Sequence, residues 1–126
     1  MHGKPGFRLL DLDVTDENLL AYELNSGKVT DDELAPYWKL YDRAAKEGRR
    51  LRIYAEMHAL PEFGDGLVVE KLSRFESIEA TVERMAIVGE ARWLATYAQE
   101  VSPLIGVEVR HFRMSERDAA RRWIQR

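Results

Sequence analysis

Short apolar runs alternate with amphipathic stretches along the chain, which is the pattern of an α/β protein. The runs Phe7–Val14 and Leu19–Leu24 predict two strands, and the short polar segment between them favours an antiparallel hairpin. Arg50–Met57 is the clearest strand, because its apolar and polar residues alternate as they do in a half-buried strand. Glu83–Val88 and Val107–Phe112 predict two further strands.

Four helices are predicted between and after these strands. Thr30–Glu33 forms a capping box at the start of the first helix, which runs to about Glu47 and stops at Gly48. A loop over residues 59–66 leads to a second helix that contains the apolar positions of Val68–Phe75. The first helix is expected to present its tyrosine and tryptophan side chains to the sheet, because they recur at helical spacing.

The third helix is predicted over Glu90–Val101, with Ser102-Pro103 ending it. Ser115–Asp118 forms another capping box and predicts the start of the last helix. The element order is therefore ββαβαβαβα. After the antiparallel hairpin, the remaining strands are expected to be parallel and joined by right-handed crossovers. This arrangement gives a mixed five-stranded sheet with four helices mainly on one face.

One face of this sheet is predicted to be polar, because Arg50–Met57 has polar residues at every second position. That face is either wet, or covered by another element or by a second subunit. Tyr54 on this face is expected to be exposed, and a homodimer is predicted because a second copy would cover it.

Length, composition and charge narrow the functional classes. The 126 residues fit one domain over 1–126, with residues 1–6 as a flexible N-terminal segment. The chain has no cysteine, which removes disulfides and thiolate sites and fits a cytoplasmic protein. No apolar run approaches the ~20 residues of a membrane span, so no stable membrane insertion is predicted.

The charge pattern argues against a nucleic-acid partner. The net charge is −3, although residues 108–126 contain six arginines and only three acidic side chains. A nucleic-acid-binding protein usually carries a larger basic excess, so this stretch is interpreted as a solvated helix face.

The candidate site is the edge of the sheet where the parallel strands end, because ligands of open α/β sheets tend to bind there. Helix N-termini also meet this edge, and their N–H groups attract anions. Trp93 lies in the first turn of a helix at this edge and would line the opening of a binding site for an apolar ligand. Trp38 and Trp123 are expected in the core instead. The candidate ligand-binding residues are His58, Glu62, Phe63, Asp65, Gly89, Glu90, Arg92, Trp93 and Arg113.

No catalytic motif, metal motif or cofactor motif is present, so no cofactor is predicted. Glu56 and His58 lie two residues apart at a strand end and point the same way. With Glu62, Asp65 or His111 they would form a metal site or an acid/base pair. The alternative is that they are ordinary polar side chains on a wet sheet face.

Three stretches carry a family resemblance when they are taken in order. They are Ser26–Thr30 before a helix containing Pro36, Glu83–Glu90 followed by Trp93, and Val109–Phe112 followed by Glu116, Ala119, Ala120 and Trp123. From about Phe7 to Gln125, the chain resembles the SpoIIAA-like family, which belongs with the STAS and lipid-binding CRAL-TRIO folds. The resemblance implies a small bacterial cytoplasmic α/β domain that is not an established enzyme.

The resemblance implies two functions. STAS domains act by protein–protein contact, which implies a regulatory or interaction module without catalytic activity. They are switched by phosphorylation of a serine at the start of the helix after the third strand, but this chain has no serine or threonine from Ala59 to Lys71. The CRAL-TRIO kinship implies instead a carrier or sensor of a lipid or amphipathic anion, with Phe63 and Trp93 lining the site and Arg92 or Arg113 on the head group. A third interpretation, which does not come from the resemblance, is an enzyme that uses His58 with Glu56 as an acid/base pair.

Overall fold

A five-stranded mixed sheet forms the centre of the protein. The computed structural model describes residues 6–12, 15–25, 28–59, 62–63 and 78–126. The strands in these segments are β1 (Phe7–Leu10), β2 (Leu19–Leu24), β3 (Lys28–Val29), β4 (Leu51–Met57), β5 (Glu62–Phe63), β6 (Val82–Val88) and β7 (Glu108–Phe112). The helices are α1 (Asp31–Lys46), the single turn α2 (Ile78–Thr81), α3 (Trp93–Ile105) and α4 (Arg117–Gln125).

The strand order in the sheet is β1-β2-β4-β6-β7. β1 runs antiparallel to β2, and the other neighbours are parallel. The predicted mixed sheet is therefore confirmed. The two-residue strands β3 and β5 form a separate parallel pair that the sequence did not predict, since two residues are too few to show an alternating pattern.

Helix α1 begins and ends where the local sequence predicts. The Glu33 N–H donates to the Thr30 hydroxyl at 3.2 Å, and the Glu33 carboxylate accepts from the Thr30 N–H at 3.3 Å. This capping box satisfies donors that the first turn leaves without helical partners. After the helix, Gly48 has φ +71°, a left-handed conformation that suits glycine. The buried face of α1 packs with one side of the sheet through Leu34, Tyr37, Tyr41 and Ala44.

Helix α4 covers the opposite side of the sheet. Its Ala120, Trp123 and Ile124 are buried in a cluster with sheet residues that include Tyr54 and Ala86. The polar face expected from the sequence is thus covered by another element of the same chain. The expectation that Tyr54 is exposed is wrong, because α4 packs over it and leaves none of its surface accessible. The homodimer stays a prediction, without the support that an exposed Tyr54 would give.

Two arginines on the sheet explain why this face looks polar in the sequence. Arg52 on β4 donates to the Ile124 carbonyl at 2.7 Å, and Arg84 on β6 donates to the Trp123 carbonyl at 3.0 Å. The last carbonyl groups of a helix lack intrahelical partners and carry partial negative charge, so cations stabilise them. These arginines therefore fix the carboxyl end of α4 on the sheet.

The other helix boundaries differ in part from their predictions. Helix α3 does not end at Ser102-Pro103 but continues to Ile105, where Gly106 with φ +66° stops it. The capping box at Ser115 is not formed either. Residues 114–116 form a 3-10 turn, and the Glu116 carboxylate accepts from the Arg113 N–H at 2.8 Å.

The remaining predicted segments lie largely outside the described residues. This applies to the second predicted helix up to residue 77, to residues 60–61 and 64–66 of the loop before it, and to residues 1–5 of the N-terminal segment. Among the described helices, none combines the length and the apolar character needed to cross a bilayer.

Candidate functional site

An open cleft lies where β2 and β4 end, on the side of the sheet that α4 covers. Its volume is about 330 Å³. The cleft is lined by Arg8, Leu10, Asp11, Leu12, Glu23, Glu56, His58, Arg117 and Arg121. Three of these residues, Glu23, Glu56 and His58, form a compact group that we call the Glu–Glu–His cluster.

Strand pairing brings the cluster together. Glu23 and Glu56 are paired neighbours on the parallel strands β2 and β4, so their side chains leave the sheet on the same side. His58 follows Glu56 by two residues and points the same way. Its Nε2 atom is 3.4 Å from Oε2 of Glu23 and 3.4 Å from Oε2 of Glu56. One donor atom from each residue lies within 4.8 Å of the other two.

Both carboxylates of the cluster are buried, with relative exposures of 3% for Glu23 and 4% for Glu56. Burying a carboxylate is costly unless partners replace its water. Oε1 of Glu23 is 2.6 Å from Nε of Arg8. Oε1 of Glu56 accepts from the Tyr54 hydroxyl at 2.8 Å and from Arg117 at 3.3 Å. Each carboxylate is therefore held through its Oε1 atom by a neighbouring cation.

The Tyr54 hydroxyl lies under α4, where ionisation would be unfavourable. Burial raises the pKa of Tyr54 well above its usual value, and the hydrogen bond to the Glu56 carboxylate raises the pKa further. Arg121, whose guanidinium carbon is 6.0 Å from the centre of the Tyr54 ring, opposes this shift. Tyr54 therefore acts as a neutral hydrogen-bond donor that orients Glu56.

The Tyr54→Phe variant is expected to lose less stability than the parent protein between pH 9 and pH 11. The unfolded chain ionises Tyr54 above about pH 10, while the folded protein keeps the proton. The unfolded state then binds fewer protons, so the free energy of unfolding of the parent falls as the pH rises. Urea unfolding of both proteins at several pH values measures the difference between their free energies of unfolding. The other tyrosines are the same in both proteins, so their effects cancel in this difference. Parallel pH profiles for the two proteins would contradict the assigned pKa direction.

The structure brings only part of the predicted site together. His58 lies beside Glu56, but His111 contacts the Gly89 carbonyl oxygen at 2.9 Å instead of joining that pair. At the end of β6, the Glu90 carboxylate accepts from the Met114 N–H at 3.0 Å.

The other predicted residues are placed as follows. Arg92 and Arg113 are exposed near the ends of β6 and β7. Glu62 and Phe63 form β5, and Trp93 begins α3, but their side chains lie outside the described part of the structure, as does the whole of Asp65. The assignment of this group to ligand binding stays a prediction.

Sequence reasoning missed Glu23, Arg8 and Arg117. Glu23 had a detectable signal, because it is a charged residue within the otherwise apolar or aromatic strand Leu19–Leu24. A carboxylate inside such a strand needs a partner. Arg8 and Arg117 carry no comparable signal, since they resemble the many other surface arginines of the chain.

The mixed five-stranded sheet and the helices on its two faces define a small α/β protein. A family model described as SpoIIAA-like matches residues 19–125, so the chain belongs to the SpoIIAA-like family. The crystal structure of an uncharacterized protein from Shewanella loihica PV-4 with a SpoIIAA-like fold is similar over 98% of both chains, with a TM-score of 0.73. The sequence identity is 17%, so this likeness shows the fold alone. No curated protein matches the chain.

Proposed function

We propose that this protein is a regulatory module that acts by binding a partner protein rather than by catalysis. Membership of the SpoIIAA-like family supports this proposal, because the related STAS domains act through protein–protein contact. The binding surface is the cleft at the ends of β2 and β4. The partner presents an acidic segment to it.

The observation that carries the proposal is the pair of anchored arginines at the cleft. The side chains of Arg8 and Arg117 are 54% and 48% exposed, yet each is tied to a buried glutamate, Glu23 or Glu56. A guanidinium group has five N–H donors, so one ion pair does not exhaust its hydrogen-bonding capacity. Because these groups are already oriented, they lose less conformational entropy when a carboxylate binds.

The lining of the cleft favours a protein partner over an acyl chain. Apolar ligands bind in concave sites whose walls are predominantly hydrophobic and aromatic. Here the lining is mainly charged, with only Leu10 and Leu12 as apolar members. The described part of the cleft is therefore suited to polar contacts with a protein surface.

Replacing Arg117 by alanine is expected to remove most of the partner binding. Arg117 is the first residue of α4, where alanine continues the helix. Glu56 keeps its hydrogen bond from the Tyr54 hydroxyl in this variant, so the fold should survive. Arg122→Ala is the matched control, since Arg122 is an exposed arginine on the same helix. The parent and both variants, checked by circular dichroism, would be used as bait in a lysate of cells that express the chain.

Quantitative mass spectrometry of the captured proteins gives a clear decision. A protein enriched by the parent and by Arg122→Ala, but reduced about tenfold or more with Arg117→Ala, supports the proposal. Identical capture by all three baits overturns the assignment of the cleft. Native mass spectrometry of the gently purified protein tests the competing carrier function, because a reproducible bound lipid mass would contradict a module that only binds proteins.

A further inference from the structure

We infer that the Glu–Glu–His cluster is a binding site for a divalent transition-metal ion of the zinc type. Its ligands are Oε2 of Glu23, Oε2 of Glu56 and Nε2 of His58. This inference does not depend on the proposed partner binding, because it rests on the arrangement of these three side chains.

The spacing of the donor atoms matches the requirement of such an ion. Zinc binds carboxylate oxygen and imidazole nitrogen at about 2.1 Å, so two ligands of a tetrahedral ion are about 3.4 Å apart. The Nε2 atom of His58 lies 3.4 Å from both Oε2 atoms. All three donors fall within 4.8 Å of one another, so only small side-chain rotations are needed to enclose an ion.

Outer contacts hold the two carboxylates in a ligating orientation. Arg8 contacts Oε1 of Glu23, while Tyr54 and Arg117 contact Oε1 of Glu56. The Oε2 atoms are thereby turned towards the histidine. Metal-binding carboxylates are commonly oriented by such second contacts, which reduce the cost of assembling the site.

The donor set and its access fit one class of ion. Two carboxylates and one imidazole suit zinc, manganese or ferrous ions better than ions that prefer sulfur. Three protein ligands leave one position for water or another ligand, as in open zinc sites. His58 is 33% exposed and lines the cleft, so an ion has a route from solvent. Arg8 and Arg117 repel the ion, but both side chains are about half exposed, so the surrounding water reduces this repulsion.

Isothermal titration of the metal-free protein with zinc chloride at pH 7.5 tests the site. The parent is expected to bind one equivalent, and His58→Ala is expected to bind about tenfold or more weakly because it lacks a direct ligand. His111→Ala is the matched control, since His111 contacts the Gly89 carbonyl outside the cluster. It should keep the affinity of the parent.

Thermal unfolding with and without zinc provides a second test, which works even when the variants differ from the parent in stability without zinc. Zinc should raise the unfolding temperature of the parent and of His111→Ala, but not that of His58→Ala, because only binding to the folded state stabilises it. Glu56→Gln, which keeps the shape of the side chain, should also lose this shift. No binding by the parent at millimolar zinc, or equal binding by the parent and His58→Ala, would overturn the inference. In that case the cluster is an ion-pair network only.

Discussion

Replacing Trp123 by alanine is expected to lower the free energy of unfolding by about 3–5 kcal/mol, which is the usual cost of deleting a buried aromatic side chain. Trp123 is 6% exposed, and its ring centre is 5.9 Å from that of Phe112. The guanidinium carbons of Arg84 and Arg110 lie 5.4 Å and 5.8 Å from the centre of the indole. The variant therefore loses apolar burial and two cation–π contacts, and it leaves a cavity between α4 and the sheet.

Urea unfolding followed by circular dichroism measures this loss. Arg122→Ala is the control on the same helix, and its exposed side chain should change the free energy of unfolding by no more than about 0.5 kcal/mol. A loss below about 1 kcal/mol for Trp123→Ala would contradict the packing of α4 on the sheet, because a buried tryptophan cannot be removed so cheaply. The sheet face that contains Tyr54 would then need another cover, for which a second subunit is one candidate.

Gly89→Ala is expected to have the second largest effect, at about 3 kcal/mol, because the site has no room for a methyl group. A Cβ atom at Gly89 would lie 2.6 Å from Cδ1 of Leu94 and 2.8 Å from the Met57 carbonyl oxygen. The Leu94 side chain can rotate, but the Met57 carbonyl belongs to β4 and moves only with the strand. The close approach of β4, β6 and α3 therefore requires glycine at this position.

Gly48→Ala is a comparison in which the steric contribution is absent. A Cβ atom at Gly48 would meet nothing within 4 Å, so its cost of about 1–2 kcal/mol comes from the left-handed backbone alone. Chemical denaturation of Gly89→Ala, Leu94→Ala and the double variant measures how much of the Gly89→Ala loss comes from the clash with Leu94. The glycine substitution should cost less in the Leu94→Ala background, because one of its two clashes is gone. Strictly additive losses would show that Leu94 does not contact this position.

Most of the fold follows from signals that lie close together in the sequence. The alternation of Leu51, Ile53 and their polar neighbours identifies β4, and the capping box at Thr30 identifies the start of α1. The side of the sheet on which α4 packs could not be predicted in this way. No strand follows α4 in the described chain, so no crossover rule fixes its side, and its apolar face shows only that it is buried.

Competing local signals account for the errors at helix ends. Pro103 suggested the end of α3, but a proline near the last turn removes only one backbone donor and can be tolerated there. Gly106 provides the conformation that stops the helix. Ser115 had the spacing of a capping residue, yet it lies inside the 3-10 turn, where its backbone is no longer that of an N-cap.

The candidate site shows where sequence reasoning reaches its limit. Glu56 and His58 could be paired from their spacing on one strand. Glu23 is 33 positions away from Glu56 in the chain, and its proximity depends on the register between β2 and β4. That register is set by the packing of whole strands, which no short motif encodes. The regulatory role, the absence of stable membrane insertion and the cytoplasmic location expected from the sequence stay predictions.

The position of α4 after all five strands of the sheet has a consequence for biosynthesis. While the chain is being translated, the strands leave the ribosome before the helix that covers them. Tyr54 and Ala86 then lie on an uncovered apolar surface that nascent chains and chaperones can contact. Translation that stops before Arg117 would make this exposure permanent, and quality-control proteases should remove the product. Packing of α4 on the sheet therefore removes this apolar surface from contact with other proteins.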